Sequence, residues 1–128
     1  MNEIQSLLNT QESFQNELGI DFRSMDEKDI AKYIKDQIYW STEELHEMGR
    51  EIPYIKDWKD YSSLSPIEKL EMSNRAREEY IDLIHFVANI GIALGLTGKQ
   101  IMEMYYKKHK INQERQTNPD LGYIKGDK

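Results

Sequence analysis

Residues 77–90 form the most apolar run of an otherwise hydrophilic chain, yet they hold Glu79, Asp82 and Asn89 at helical spacing. At about 100° per residue, Glu79, Asp82, Phe86 and Asn89 fall within roughly a quarter-turn of one another. A helix here carries a polar, acidic stripe on an apolar body. A buried carboxylate is costly unless it is paired, hydrogen-bonded or bound to a metal, and two on one stripe also repel. A divalent cation relieves both problems. The fold therefore has to supply partners for this stripe.

A matching pair lies upstream in Glu44-Leu45-His46-Glu47. Glu44 and Glu47 are three apart and so share a helix face, roughly the face of Gln37, Trp40 and Glu51. Glu79 and Asp82 repeat the spacing. Antiparallel packing of the two helices brings the pairs together. Four oxygen ligands select a hard cation, Mg²⁺ with Mn²⁺ as the alternative. Against this, Glu-rich helix faces are usually solvated and one E-x-x-E carries little information. The second pair is the stronger signal because its surroundings are apolar. His46 and His85 raise a rival, since acid-x-x-His motifs on two helices are used by di-iron bundle proteins. The remaining helices supply no matching pair of inward glutamates.

The chain of 128 residues suits one domain, residues 1–128, with one core. A net charge of -6 disfavours a role in coating nucleic-acid polymers. The absence of cysteine excludes disulfides, a thiolate nucleophile and a cysteine zinc site. Met1-Asn2-Glu3-Ile4-Gln5 lacks a basic start and an apolar signal core. Residues 80–96 are interrupted by Asp82, His85 and Asn89, so no membrane span is expected. A cytoplasmic location is the expectation.

Four helices are predicted. Ile4, Leu7, Leu8, Gln11, Phe14 and Leu18 follow a helical stripe over residues 3–17, with Gly19 as the stop. Ser24 and Asp26 are candidate N-caps for a second helix reaching about residue 51, where Pro53 ends it. Residues 52–64, with Pro53, Tyr54, Trp58, Lys59 and Tyr61, read as an aromatic connector. Ser65-Pro66-Ile67-Glu68 opens a third helix to about residue 94. Gly91 within it suggests close packing or a weak point. Thr97-Gly98-Lys99-Gln100 opens a fourth helix to about residue 115, and residues 117–128 form a polar tail. The predicted fold is all-α, an antiparallel helical bundle of four main helices.

Several segments taken in order carry a resemblance: Glu44-Leu45-His46-Glu47; Ile55-Lys56-Asp57-Trp58-Lys59; the run from Glu78-Glu79 through Asp82 and His85-Phe86; and Lys108, Asn112, Arg115-Gln116 with Gly122-Tyr123. The chain resembles the dimeric dUTPases of the all-α nucleoside triphosphate pyrophosphohydrolase superfamily, which also contains the MazG-like enzymes. The resemblance implies Mg²⁺-dependent hydrolysis of dUTP to dUMP and pyrophosphate. It implies that Glu44, Glu47, Glu79 and Asp82 ligate metal, with Glu44 or Glu47 orienting or deprotonating the attacking water. Lys108, Asn112 and Arg115 match the phosphate-contacting end, and Lys59 of the tryptophan-lysine connector is grouped with them. Trp58 matches the tryptophan near the base, Phe86 the aromatic against the deoxyribose, and Gln11 the glutamine on the pyrimidine edge. Gln15 or Asn16 stands where a companion asparagine is expected. Asn89 joins the base and sugar group, and Tyr123 matches a late tyrosine on a tail that orders with ligand.

The resemblance has two departures. Thirty-one residues separate Glu47 from Glu79, at or beyond the long end for the superfamily, and the chain is short for a dimeric dUTPase. Abbreviated α proteins complete their cores by association, so a homodimer is expected, with sites near the interface. Within the same class, dCTP or a broader nucleotide preference stays open, because an amide side chain can turn to suit cytosine or uracil. The alternative of another class is a non-catalytic helical interaction module. Its signature, loss of a carboxylate or of Lys108 or Arg115, is absent.

Overall fold

The computed structural model of the protein describes residues 2–118 and Asp120. These form four helices, α1 (Glu3–Glu17), α2 (Glu27–Arg50), α3 (Pro66–Ala93) and α4 (Gly98–Thr117), with one 3₁₀ turn at Phe22–Ser24. There is no strand among the described residues.

Every helix begins on a side chain that satisfies amides left open by the first turn. Asn2 caps α1, its Oδ1 accepting from the Gln5 amide. Asp26 caps α2 in a reciprocal box with Asp29. Of the two candidates there, Ser24 closes the 3₁₀ turn instead, its hydroxyl donating to the Asp21 carbonyl. Ser65 boxes with Glu68 ahead of α3, with Pro66 at the first helical position, and Thr97 boxes with Gln100 ahead of α4. Past the end of α3, Gly95 takes a φ of 75°, the left-handed conformation that lets the Leu96 amide reach back to the Gly91 carbonyl at 3.0 Å. The chain turns sharply there, and α4 leaves α3 at 102°.

The central unit is the α2–α3 hairpin, the most extensive helix pairing in the molecule. Its register can be read from four pairs. Gln37 meets Asn89, Glu44 lies beside Asp82, Glu47 bonds with Glu79, and Glu51 pairs with Arg75 at 2.6 Å. As the number rises along α2, the partner's number falls along α3, so the helices are antiparallel in a single register. Helix α1 packs against this hairpin. Leu8 faces Gly91, and Tyr33 of α2 bonds Gln15 while meeting Phe22 edge-on.

The N-terminus of α4 docks on that of α1. The Gly98 amide donates to Gln5 Oε1 at 2.7 Å. A Cβ at Gly98 would lie 2.6 Å from the Gln5 backbone nitrogen, so only glycine allows this approach.

The connector between α2 and α3 is pinned by its aromatics. Tyr61 is buried, Tyr54 packs against it, and Lys69 lies over the Tyr54 ring. No single described helix is long and apolar enough to cross a membrane.

Candidate functional site

A cleft of about 460 Å³ opens between α1, α2 and α3. Helix α1 lines it with Gln11, Phe14, Gln15 and Leu18, α2 with Gln37, Trp40 and Glu44, and α3 with Asp82, His85, Phe86 and Asn89. Apart from the adjacent pairs Phe14–Gln15 and His85–Phe86, successive lining residues on each helix are three or four apart, the spacing that keeps side chains on one face.

Carboxylates converge at one end. Ligand atoms from Glu44, Glu79 and Asp82 lie within 4.8 Å of one another, and Glu47 joins through its hydrogen bond with Glu79. Two carboxyl groups can bond only by sharing a proton. That bond holds the Glu47 carboxyl above the usual carboxylate range, with partial desolvation and the Glu79 charge adding to it. Glu79 is raised as well, first by its bond with Glu44 and then by desolvation, while its bond with Glu47 pulls the other way. Glu44 Oε2 is buried without a hydrogen-bond partner. Arg50 offsets part of the charge at Glu47, and the ligand atoms of the cluster are all oxygen. The residues fit a hard divalent cation, which would satisfy the unmatched oxygen and remove the repulsion. This is the only group of three or more potential ligands among the described residues, and it contains no histidine. His85 lines the cleft but stays outside the cluster, and His46 is exposed. The di-iron pattern is not assembled.

The other end of the cleft is built from amides. Gln11, Gln15, Gln37 and Asn89 are all buried. The Tyr33 hydroxyl donates to Gln15 Oε1 at 2.8 Å, and burial pushes the Tyr33 hydroxyl up to about 12, so it keeps its proton. Asn89 Nδ2 donates to Gln37 Oε1 at 2.9 Å.

The structure brings Glu44, Glu47, Glu79 and Asp82 together, and it lines the adjoining cleft with Gln11, Gln15, Phe86 and Asn89. It leaves other anticipated residues elsewhere. Asn16 is exposed on α1. Trp58 is 80% exposed on the connector, and Lys59 lies over the Tyr61 ring; neither lines the cleft. The tryptophan that does is Trp40, one helical turn before Glu44, a position its spacing alone points to. Lys108 and Asn112 are exposed, Arg115 is half-buried, and none of the three lines the cleft. The turn at Gly95 and the docking of Gly98 on Gln5 send α4 across α1. Tyr123 lies outside the described residues. Phe14 and Leu18 belong to the helical stripe of α1, and both line the cleft while remaining exposed.

No family model matches the chain, and no solved structure matches it. Among curated proteins it is similar to the dCTP pyrophosphatase of Enterobacteria phage T4, 38% identical over 60 residues, which is 47% of this chain and 33% of that protein. It is also similar to the dCTP pyrophosphatase of Enterobacteria phage LZ5, 40% identical over 65 residues, 51% of this chain and 34% of that protein. The match thus spans about a third of each relative's length.

Proposed function

We propose that the chain is a Mg²⁺-dependent pyrophosphohydrolase of pyrimidine deoxynucleoside triphosphates, releasing pyrophosphate and the monophosphate. The observation that carries this is the acidic cluster, with its buried unpartnered Glu44 Oε2, set beside an amide-lined cleft. dCTP is the first candidate because the similar phage proteins are named for it. dUTP is the second, because the motif order resembles the dimeric dUTPases.

Glu44, Glu79 and Asp82, with Glu47 completing the set, would hold the metal, and Mn²⁺ suits the same oxygens. Bound there, Mg²⁺ lowers the pKa of water and offsets charge on the phosphate oxygens. Glu44 or Glu47, whichever keeps an oxygen off the metal, would orient the attacking water and accept its proton. Phe86, one turn beyond Asp82, borders the sugar, and the α1 glutamines border the base. The phosphate role of Lys59, Lys108, Asn112 and Arg115, and the base role of Trp58 and Tyr123, have the resemblance alone behind them.

The active form is proposed to be a homodimer. Tyr80, Ile81 and Val87 are exposed on α3. Beside them runs an apolar groove of about 300 Å³ between α1, α3 and α4. A second copy is the occupant proposed for this face. A cysteine-free chain of this kind suits the cytoplasm.

The test is pyrophosphate release from dCTP, dUTP, dTTP and UTP, each with Mg²⁺ and with a chelator, for wild type and Glu47→Gln. Expected is metal-dependent release, fastest from dCTP, with the variant slower by roughly 10²–10⁴-fold. Preference for dUTP reassigns the base and keeps the metal site. Absence of turnover on every nucleotide overturns the enzyme and leaves the helical interaction module.

A further inference from the structure

The floor of the cleft holds an acceptor with no donor. Asn89 is 3% exposed, and its Oδ1 is buried without a hydrogen-bond partner. Its side chain lines the cleft with Gln11, Gln15 and Phe86. An unmatched buried acceptor is costly, and in a native interior it asks for an explanation such as a missing ligand or water. Asn89 lies seven residues beyond Asp82 on α3, about 10 Å along the axis. A nucleoside whose 5′ end sits at the acidic cluster can put the far edge of its base at that depth.

The direction in which Asn89 points is constrained by Gln37. Asn89 Nδ2 donates to Gln37 Oε1. Turning the Asn89 amide alone would set two carbonyl oxygens against each other. Asn89 can offer its nitrogen to the cleft only if Gln37 turns with it. The pair therefore has two joint states, with the unpartnered Asn89 atom an acceptor in one and a donor in the other, and the structure holds the first.

We propose that Asn89, positioned by Gln37, reads the 4-substituent of a pyrimidine base and selects the 4-amino group of cytosine over the 4-oxo group of uracil. This rests on the pyrophosphohydrolase reading and goes beyond it by assigning the discriminating atom. A second contact points the same way. The Tyr33 hydroxyl donates to Gln15 Oε1, which turns that oxygen toward Tyr33 and leaves the Gln15 NH₂ as the donor on the opposite side of the amide. In cytosine, N3 and O2 are both acceptors and suit that donor. In uracil, N3 carries a hydrogen and O4 is an acceptor, so the same edge sets donor against donor and acceptor against acceptor.

The experiment reads the ratio of kcat/KM for dCTP over dUTP in wild type, Gln37→Met and Asn89→Asp. The wild-type ratio is expected above one. Gln37→Met frees Asn89 to turn by itself and lowers the ratio by about tenfold toward one, the size of one hydrogen-bond mismatch. Asn89→Asp offers only acceptors and raises the ratio by about tenfold. A purely structural role lowers turnover of both substrates together and leaves the ratio where it was. A ratio moved by neither variant, or a wild type that prefers dUTP, overturns the Asn89–Gln37 assignment while the enzyme reading stands. If the wild type hydrolyses neither nucleotide, that reading fails. Calorimetric binding of deoxycytidine and deoxyuridine then judges the pair directly, and equal affinities in the wild type overturn it. Should Asn89→Asp not fold, Gln37→Met carries the test.

Discussion

The two faces of α3 invert the usual order of a globular helix. Toward α1 and α2 it presents Glu79, Asp82, Phe86 and Asn89, the material of the acidic cluster and the amide floor. On its other sides it exposes Tyr80, Ile81 and Val87, beside apolar grooves shared with α2 and with α1 and α4. A helix chosen for stability alone would not set the half-buried Glu79 and the buried Asn89 on its packed face while leaving the second set exposed. Among the described residues the buried hydrophobic side chains are few, namely Leu8, Tyr33, Tyr61, Ala76 and Ala88. The polar face carries the proposed site, and the apolar face is the one proposed for a second copy.

The strongest way to break this comparison is to remove charge from the polar face. Glu79→Gln takes out the carboxyl that bonds both Glu44 and Glu47. Hydrolysis is expected to fall by roughly 10²–10⁴-fold, since the cluster loses both a ligand and the order it imposes on its neighbours. The metal-free variant is expected to melt higher than the metal-free wild type, because crowded carboxylates no longer repel. Mg²⁺ should raise the melting temperature of the wild type and leave that of the variant unmoved. A variant that melts lower without metal would make the cluster a structural network and reverse the reading of this face.

The apolar face is tested by the opposite change. Val87→Glu puts a charge on the exposed side of α3 and should convert a dimer into a monomer of 15.2 kDa in sedimentation equilibrium. The acidic cluster, across the helix, should still bind Mg²⁺. A wild type that already sediments as one chain at micromolar concentration removes the second copy from this face.

How much of this could be read beforehand follows from the range of the interactions. The helix starts at Asp26, Ser65 and Thr97 were legible because a capping box is complete within four residues. The meeting of Glu44 and Glu47 with Glu79 and Asp82 was legible because each pair announces its face and one antiparallel hairpin joins them. The heading of α4 was not. It depends on the Gly95 turn and on the close approach of Gly98 to Gln5, ninety-three residues away, and nothing local in Lys108, Asn112 or Arg115 encodes that angle. The exposure of Trp58 was not legible either. The connector is held by Tyr54, Tyr61 and Lys69, which leaves Trp58 in solvent, while Trp40 reaches the cleft by simple helical spacing from Glu44.

The finest probe of the polar face is Tyr33, whose hydroxyl is buried and bonded to Gln15. Burial holds its pKa at about 12, against an ordinary value of 10.0. Below pH 10 both folded and unfolded chains keep the proton, and the contribution of the buried hydroxyl is fully present. Between pH 10 and 12 the unfolded chain loses its proton first, so stability falls as pH rises through that window. Tyr33→Phe abolishes this dependence. At neutral pH the variant should be less stable by about 1 kcal/mol, because Gln15 Oε1 loses its donor. In urea unfolding at pH 8 and pH 10.5, the wild type should lose more stability between the two than the variant. Equal losses would mean that Tyr33 ionises freely, and that the amide floor it anchors is open to water instead of being set for a base.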